Sequence, residues 1–283
     1  MLVVFITSSL MLTAAAAVVT LFFEQLFPSE FRIGDKRVVR ADGRALDDLR
    51  PVKIIPDFIP NAEGSVLIEE GNTRVIVTAT IEDGVPSFRK GSGKGWVTGE
   101  YGMLPRSTEE RTPRESARGK QSGRTLEIQR MIGRTLRAVT DMKALGERTA
   151  WLDCDVIQAD GGTRTASVTG AFVALALAFE RMVSAGMLRS VPLMDSLAAI
   201  SVGIVDDELL LDLAYDEDSR AQVDMNVVMT GSGHFVEVQA SAEGRPYTDR
   251  ELQQLLALAA GGIRSLHEAQ QELLRMSFGA RAR

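Results

Sequence analysis

The chain has 283 residues, of which 45% are hydrophobic and 25% charged, and its formal net charge is −6. This is the composition of a soluble globular protein with room for one or two cored domains, and it excludes a protein that coats nucleic acid with its whole surface, though not a local basic site. A single cysteine, Cys154, excludes an internal disulfide and fits a reducing compartment, and two histidines, His234 and His267, exclude a His-rich metal centre.

The stretch Met1 to Phe23 carries no charged side chain and is long enough to cross a bilayer. It reads as a signal or anchor, but it has no basic n-region. The alternative is that translation starts later, because everything up to Val39 is unlike the rest of the chain. From residue 40 onward, strands and helices alternate. Ser65–Glu70 and Thr73–Glu82 are two β-rich runs joined by the turn Gly71-Asn72. Phe88–Gly95 reads as a flexible Gly/Lys loop, and residues 106–123 as a polar, basic loop. Arg124–Asp141 is a helix with Ile128, Met131, Ile132, Leu136 and Val139 on one face. Ala150–Gln158 is a strand, followed by a helix over Ser167–Ala185. Strands are expected at Leu197–Val205, Glu208–Ala214, Val223–Thr230 and His234–Ala240. A last helix over Thr248–Met276 opens with a capping box of Thr248 and Glu251. No repeat or Pro/Gly-rich linker interrupts this pattern. It predicts one α/β (α+β) domain over residues 40–277, preceded by an extension over 1–39 and followed by a tail over 278–283.

The run Asp160-Gly161-Gly162-Thr163-Arg164-Thr165 follows a strand and precedes a helix. A Gly-Gly turn there leaves backbone N–H groups free, and with the helix dipole it makes an anion site to which Arg164 and the threonines add donors. A second basic feature spans residues 106–137, where nine cations face four carboxylates. Arg130, Arg134 and Arg137 fall opposite the apolar helix face and read as a solvated surface. Arg124 differs, because a cation at a helix start opposes the macrodipole and a bound anion would relieve the conflict. The acids Asp216, Glu217, Asp218 and Asp224 cluster before and inside a strand. Asp218 and Asp224 are six residues apart, an even spacing that puts both on one face of an extended chain. Two carboxylates suit Mg²⁺ completed by water and substrate phosphate. The loop FRKGSGKG lacks Walker A spacing.

The motifs RADGR (Arg40–Arg44), LRP (Leu49–Pro51), EGSVLIEEGNT (Glu63–Thr73), GKGWVTGEYGMLPRST (Gly93–Thr108), RES (Arg114–Ser116), SGRTLEIQRMIGR (Ser122–Arg134), DCDVIQADGGTRTAS (Asp153–Ser167), LAAISVG (Leu197–Gly203) and VDMNVVMTGSG (Val223–Gly233) resemble, in the same order, those of the bacterial ribonuclease PH family. The resemblance covers about residues 40–275. It implies a phosphorolytic 3′→5′ exoribonuclease, a nucleotidyltransferase. Such an enzyme uses inorganic phosphate to trim precursor tRNA beyond its CCA end, releases nucleoside diphosphates, and has a further role in rRNA maturation or degradation. It implies a β-α-β-α arrangement like the second domain of ribosomal protein S5 and a homo-hexameric ring, a trimer of dimers. By the family pattern Arg124, Gly162, Thr163 and Arg164 bind phosphate, and Arg106, Arg111 and Arg114 grip RNA. Asp218 and Asp224 are the catalytic acids and hold Mg²⁺. Family members begin near RADGR, usually with Met, where this chain has Val39. A GTG start would account for that, so the expectation is a cytoplasmic protein beginning near Val39, with no membrane partner.

The chemistry agrees with this resemblance. Phosphorolysis needs no protein nucleophile, which fits a chain without a usable Ser-His or Cys-His pair. It needs two anions held together, which arginines and a divalent cation supply. The competing readings are a non-catalytic RNA-binding ring subunit and a nucleotide-dependent phosphotransferase. The first should lack some of these residues, and the second should carry a nucleotide-binding glycine motif.

Overall fold

The computed structural model describes residues 40–281; the extension expected over residues 1–39 lies outside them. Among the described residues the strands form two sheets. The first is built from β1 (Val52–Pro56), β2 (Gly64–Glu70), β3 (Thr73–Asp83), β4 (Trp96–Met103) and β5 (Arg148–Gln158), in the order β1-β2-β3-β5-β4. Its pairs are antiparallel except β4 with β5, which run parallel. Between these last two strands lie a short 3-10 turn at Glu115–Arg118, the helix α1 (Gly123–Val139) and the single turn α2 (Met142–Leu145). The second sheet, all antiparallel, follows the central helix α3 (Thr163–Ser184). It comprises β6 (Leu197–Val205), β7 (Glu208–Leu211), β8 (Val223–Thr230) and β9 (Phe235–Ala242), in the order β7-β6-β8-β9. A helical turn, α4 (Tyr215–Asp218), separates β7 from β8, and α5 (Asp249–Arg281) closes the described chain.

The helix α3 joins the halves. It packs on β2 and β3 of the first sheet and on β6 of the second. Buried on nearly every side, it is apolar all round rather than striped, with Ala171, Ala174 and Ala178 letting the sheets approach and Phe179 filling the space between. Burying a side chain of the size of Phe179 contributes roughly 1.5–3 kcal/mol. By length and hydropathy α3 could cross a membrane, but its burial makes it the core helix of a folded domain. The helix α1 lays its buried face, including Ile128, Ile132 and Leu136, on β4. Gln270 of α5 donates to the carbonyls of Thr169 and Leu197, fixing α5 across α3 and β6. Cys154 points into this core from β5, its thiol against the Ser167 carbonyl at 3.9 Å.

Several expected elements shift. β1 and β4 were not anticipated, since neither shows clean alternation; β4 carries three glycine-sized or polar positions in its middle, Thr98, Gly99 and Glu100. The expected Phe88–Gly95 loop is ordered by turns, with the Phe88 ring edge-on to Trp96 at 5.1 Å and the Gly95 N–H bonded to the Met142 carbonyl. Arg137 is no solvated residue: its guanidinium lies 4.3 Å from the Trp96 ring centre and donates to the Val97 carbonyl. β7 ends at Leu211, because Asp212 takes a left-handed φ of 55° that no strand continues. The last helix runs past Met276 to Arg281, through much of the expected 278–283 tail.

Candidate functional site

The helix α3 begins at Thr163, four residues before the expected Ser167, so the Gly-Gly turn abuts the helix directly. Gly161 and Gly162 have φ of 72° and 65°, left-handed values that cost other residues roughly 1–2 kcal/mol. Space forbids a side chain as well. A Cβ on Gly161 would meet the Leu213 carbonyl at 2.4 Å, and one on Gly162 would meet Arg50 Nη2 at 2.8 Å. Neighbours tie the turn down. Thr73 Oγ1 donates to the Gly161 carbonyl and accepts from the Asp160 N–H, at 2.6 and 2.9 Å. Asn72 donates to the Asp160 carboxylate. The β2–β3 hairpin therefore sets the pose of the α3 N-terminus. The Tyr101 hydroxyl, buried on β4, meets Thr163 Oγ1 at 2.9 Å. Burial raises the Tyr101 pKa, so it stays a neutral hydroxyl.

The acidic loop is organised by a second set of ties. Residues 215–218 form the turn α4 rather than extended chain, so the even spacing of Asp218 and Asp224 is not what brings them together. The chain turns at Ser219 and returns along β8, which carries Asp224 back beside Asp218. Glu217 holds α4 in place: its carboxylate takes the Ala214 N–H at 2.9 Å and is gripped by two nitrogens of buried Arg40. Burial acts to raise the Glu217 pKa, but the Arg40 guanidinium and the Ala214 N–H outweigh it and hold the carboxylate ionised. Arg40 also donates to the carbonyls of Leu211 and Asp212. Arg50 clamps Asp212 through Nε and Nη2 at 3.0 and 2.6 Å, and its Nη1 reaches the Asp160 carbonyl at 2.5 Å. One guanidinium thus spans the loop bearing Asp218 and the turn bearing Gly162. The RADGR and LRP motifs supply both arginines, and their work on these loops is not visible from spacing alone.

The end of α4 and the first turn of α3, with β8, β9 and α1, enclose a polar cleft of about 450 Å³ lined by Arg124, Arg164, Asp218, Asp224, Asn226 and Glu243 among others; the expected Gly162 and Thr163 adjoin Arg164 but do not line it. Arg124 stands in the first turn of α1, where Ser122 caps the helix by accepting the Thr125 N–H. Arg164 donates to Gln239 Oε1 at 3.0 Å and lies 3.6 Å from Glu127. Burial, and then the charge of Asp218, push the Asp224 carboxyl up to about 6, against the pull of Arg164 and Arg124. Burial raises Asp218 too, and the same two arginines oppose it. Two guanidiniums and two carboxylates therefore feel one another across one cleft. A larger groove of about 650 Å³ lies between β1 and α5; its lining is mostly apolar, with Lys53, Asp57 and Glu272 as its charged members, and it lacks the paired arginines and aspartates of the polar cleft.

The structure does not bring every expected residue into the cleft. Arg106, Arg111 and Arg114 are exposed on the segment after β4, and none of them lines it. That segment is moored at the start of α1, where Glu115 accepts from the Thr125 hydroxyl and the Ser122 N–H. Glu127, Asn226, Gln239 and Glu243 join the cleft without having been singled out. Only the sequence neighbourhood of Arg124 and Asp224 could have pointed to the first two.

The donor set suits a hard divalent cation. Asp218 and Asp224 offer carboxylate oxygens, and Asn226 lies beside them with Nδ2 3.5 Å from the Asp224 carboxylate. Among the described residues no group of three acidic, histidine or cysteine side chains gathers for a metal, so such an ion would take its remaining ligands from water and substrate oxygens.

Comparison with known proteins assigns the family of the chain. Residues 48–179 match the model of the 3′ exoribonuclease family, domain 1, and residues 195–262 that of domain 2. Ribonuclease PH of Moorella thermoacetica is 61% identical over 237 residues, 84% of this chain and 95% of its own length. Ribonuclease PH of Bacillus subtilis is 59% identical over 83% of this chain and 97% of its own. Among solved structures, a chain of the Archaeoglobus fulgidus exosome with RNA in its active site superposes with a TM-score of 0.70 at 24% identity, covering 82% of this chain and 92% of that one. Rice Rrp46 gives a TM-score of 0.66 at 17% identity, over 84% of this chain and all of its own; these two establish the fold. The fold is that of a 3′ exoribonuclease. The chain belongs to the ribonuclease PH family, phosphorolytic enzymes acting on tRNA precursors.

Proposed function

We propose that the cleft holds inorganic phosphate against the last phosphodiester of a precursor tRNA and removes nucleotides beyond its CCA end, with rRNA as a further substrate. One observation carries this reading: Arg124 and Arg164 meet Asp218 and Asp224 at the N-terminus of α3. Arg124 and Arg164, with the Gly162 and Thr163 turn, orient phosphate in line with the scissile P–O3′ bond. A phosphate oxygen forms the new P–O bond as O3′ leaves, giving a nucleoside diphosphate. Asp224, ionised at rest, takes up the proton that the attacking phosphate gives up and passes it to the leaving O3′. Mg²⁺ bound by Asp218 and Asp224 would neutralise charge on the transferring phosphoryl oxygens. Positioning and charge neutralisation supply the rate.

Arg106, Arg111 and Arg114 sit outside the cleft with their guanidiniums free to take the backbone of the incoming strand, and this is the role we assign them. The ring is a homo-hexamer, a trimer of dimers. An edge strand with exposed Phe235 and Val238, β9, favours such assembly. The compartment we assign is the cytoplasm, which the single unpaired cysteine, Cys154, supports. Incubating a short RNA with and without phosphate tests the function. Nucleoside diphosphates should appear only with phosphate. Monophosphates released without it would make the enzyme a hydrolase, and no release would leave only RNA binding.

A further inference from the structure

Glu70 ends β2 on the strand face that carries Val66 and Ile68, and so points into the core beneath the start of α3. It is 1% exposed, and neither carboxylate oxygen has a hydrogen-bond partner. A Cβ on Gly162 would stand 3.9 Å from Glu70 Oε2, so the carboxyl lies directly behind the anion-binding turn. The charged groups that act on it are Arg50 before β1 and Asp212 after β7, while Asp160 after β5 acts in turn on Arg50. Arg50 is already committed to Asp212 and the Asp160 carbonyl, while Arg44, at 3.5 Å from Asp212, adds a more distant positive charge.

We propose that Glu70 is a positioning residue that must be a neutral acid for phosphate to bind at the α3 turn, so that its ionisation sets the alkaline limit of phosphate use. The reasoning is electrostatic. An isolated carboxylate in the interior is costly, and this one has no donor to repay it. A negative charge there would cancel the field the α3 N-terminus presents to phosphate. It would also draw Arg50 away from Asp212 and Asp160, loosening both site loops at once. Burial, and then the charge of Asp212, push Glu70 up to about 8, with Arg50 opposing. The acid is therefore neutral at pH 7 and ionises above pH 8.

The inference rests on phosphate binding at this turn. If only the neutral form accepts phosphate, the phosphate KM should rise roughly tenfold between pH 7 and pH 9, as the competent fraction falls. Glu70→Gln keeps the shape without the charge. Its phosphate KM should match the native value at pH 7 and rise roughly tenfold less by pH 9. Comparing the two proteins cancels the titration of phosphate itself and of the cleft acids. The same rise in both proteins overturns the proposal. Should the amide variant fail to fold, infrared spectra of the native enzyme must show a protonated carboxyl band that disappears near pH 8; a band already absent at pH 7 overturns the proposal equally. Arg124→Ala separates the two ideas. If it raises the phosphate KM at pH 7 while Glu70→Gln leaves the alkaline slope intact, the phosphate site stands and the role of Glu70 falls. If it leaves that KM unchanged, the phosphate site itself is wrong.

Discussion

Replacing Asp224 by asparagine should abolish turnover and, in the absence of metal, make the protein more stable. The folded chain holds the Asp224 proton up to about pH 6, against an ordinary value of 3.8. At 1.36 kcal/mol per pH unit, keeping the carboxylate ionised in the fold costs on the order of 3 kcal/mol. The sign follows from proton binding. Below pH 3.8 both folded and unfolded chains are protonated and no penalty exists. It grows as pH rises from 3.8 towards 6, where the folded chain retains a proton the unfolded chain has lost, and it is complete above 6. The amide does not titrate, so its advantage should be absent near pH 4 and about 2–3 kcal/mol at pH 7.5, allowing for the amide's own imperfect hydrogen bonding beside Asn226. Chemical denaturation of both proteins in chelator, at equal protomer concentration, reads this difference directly. A variant that is less stable than the native protein at pH 7.5 would refute the reasoning, for it would make Asp224 a structural partner rather than a charge held ready for catalysis.

Three further outcomes are expected. Arg124→Ala should raise the phosphate KM at least tenfold while leaving RNA affinity, measured by filter binding, within about twofold, since losing a charge-assisted contact costs roughly 1.5–3 kcal/mol. Glu217→Gln strips the carboxylate from buried Arg40 and should destabilise the fold by about 3–5 kcal/mol in urea titrations, with kcat falling as α4 loosens; an unchanged midpoint would show that Arg40 finds another partner. Gly161→Ala sets a methyl group 2.4 Å from the Leu213 carbonyl at a left-handed φ, and should cost about 2 kcal/mol or more in thermal unfolding while lowering kcat over tenfold.

Most of the architecture was legible because the buried faces repeat. Ile128, Ile132 and Leu136 mark α1 by period, and Val223, Met225 and Val227 mark β8. β1 and β4 were not, because in five-residue β1 the apolar Ile55 shares a face with exposed Lys53, and in β4 Gly99 sits where alternation would require apolar bulk; the pairing of β4 rests on a partner distant in sequence. In the cleft, Arg124, Arg164, Asp218 and Asp224 were visible as charges placed where local structure alone gives no use for them. The reason offered for the two acids was mistaken, since α4 breaks the extended chain between them. What spacing cannot reveal is the layer beneath. Arg40 meets Glu217 and Arg50 meets Asp212 across more than 160 residues, and such pairs leave no periodic trace.

Burial of Cys154 has a practical sequel. Its side chain is 1% exposed, and burial, followed by the charges of Asp153 and Asp155, drives the thiol far above its ordinary range, so alkylating reagents will find it inert while the fold is intact. The native protein is thus a ready-made blank for thiol labelling. A dye attached through one new cysteine on the exposed segment around Arg111 would report the arrival of an RNA strand without any background substitution to engineer away.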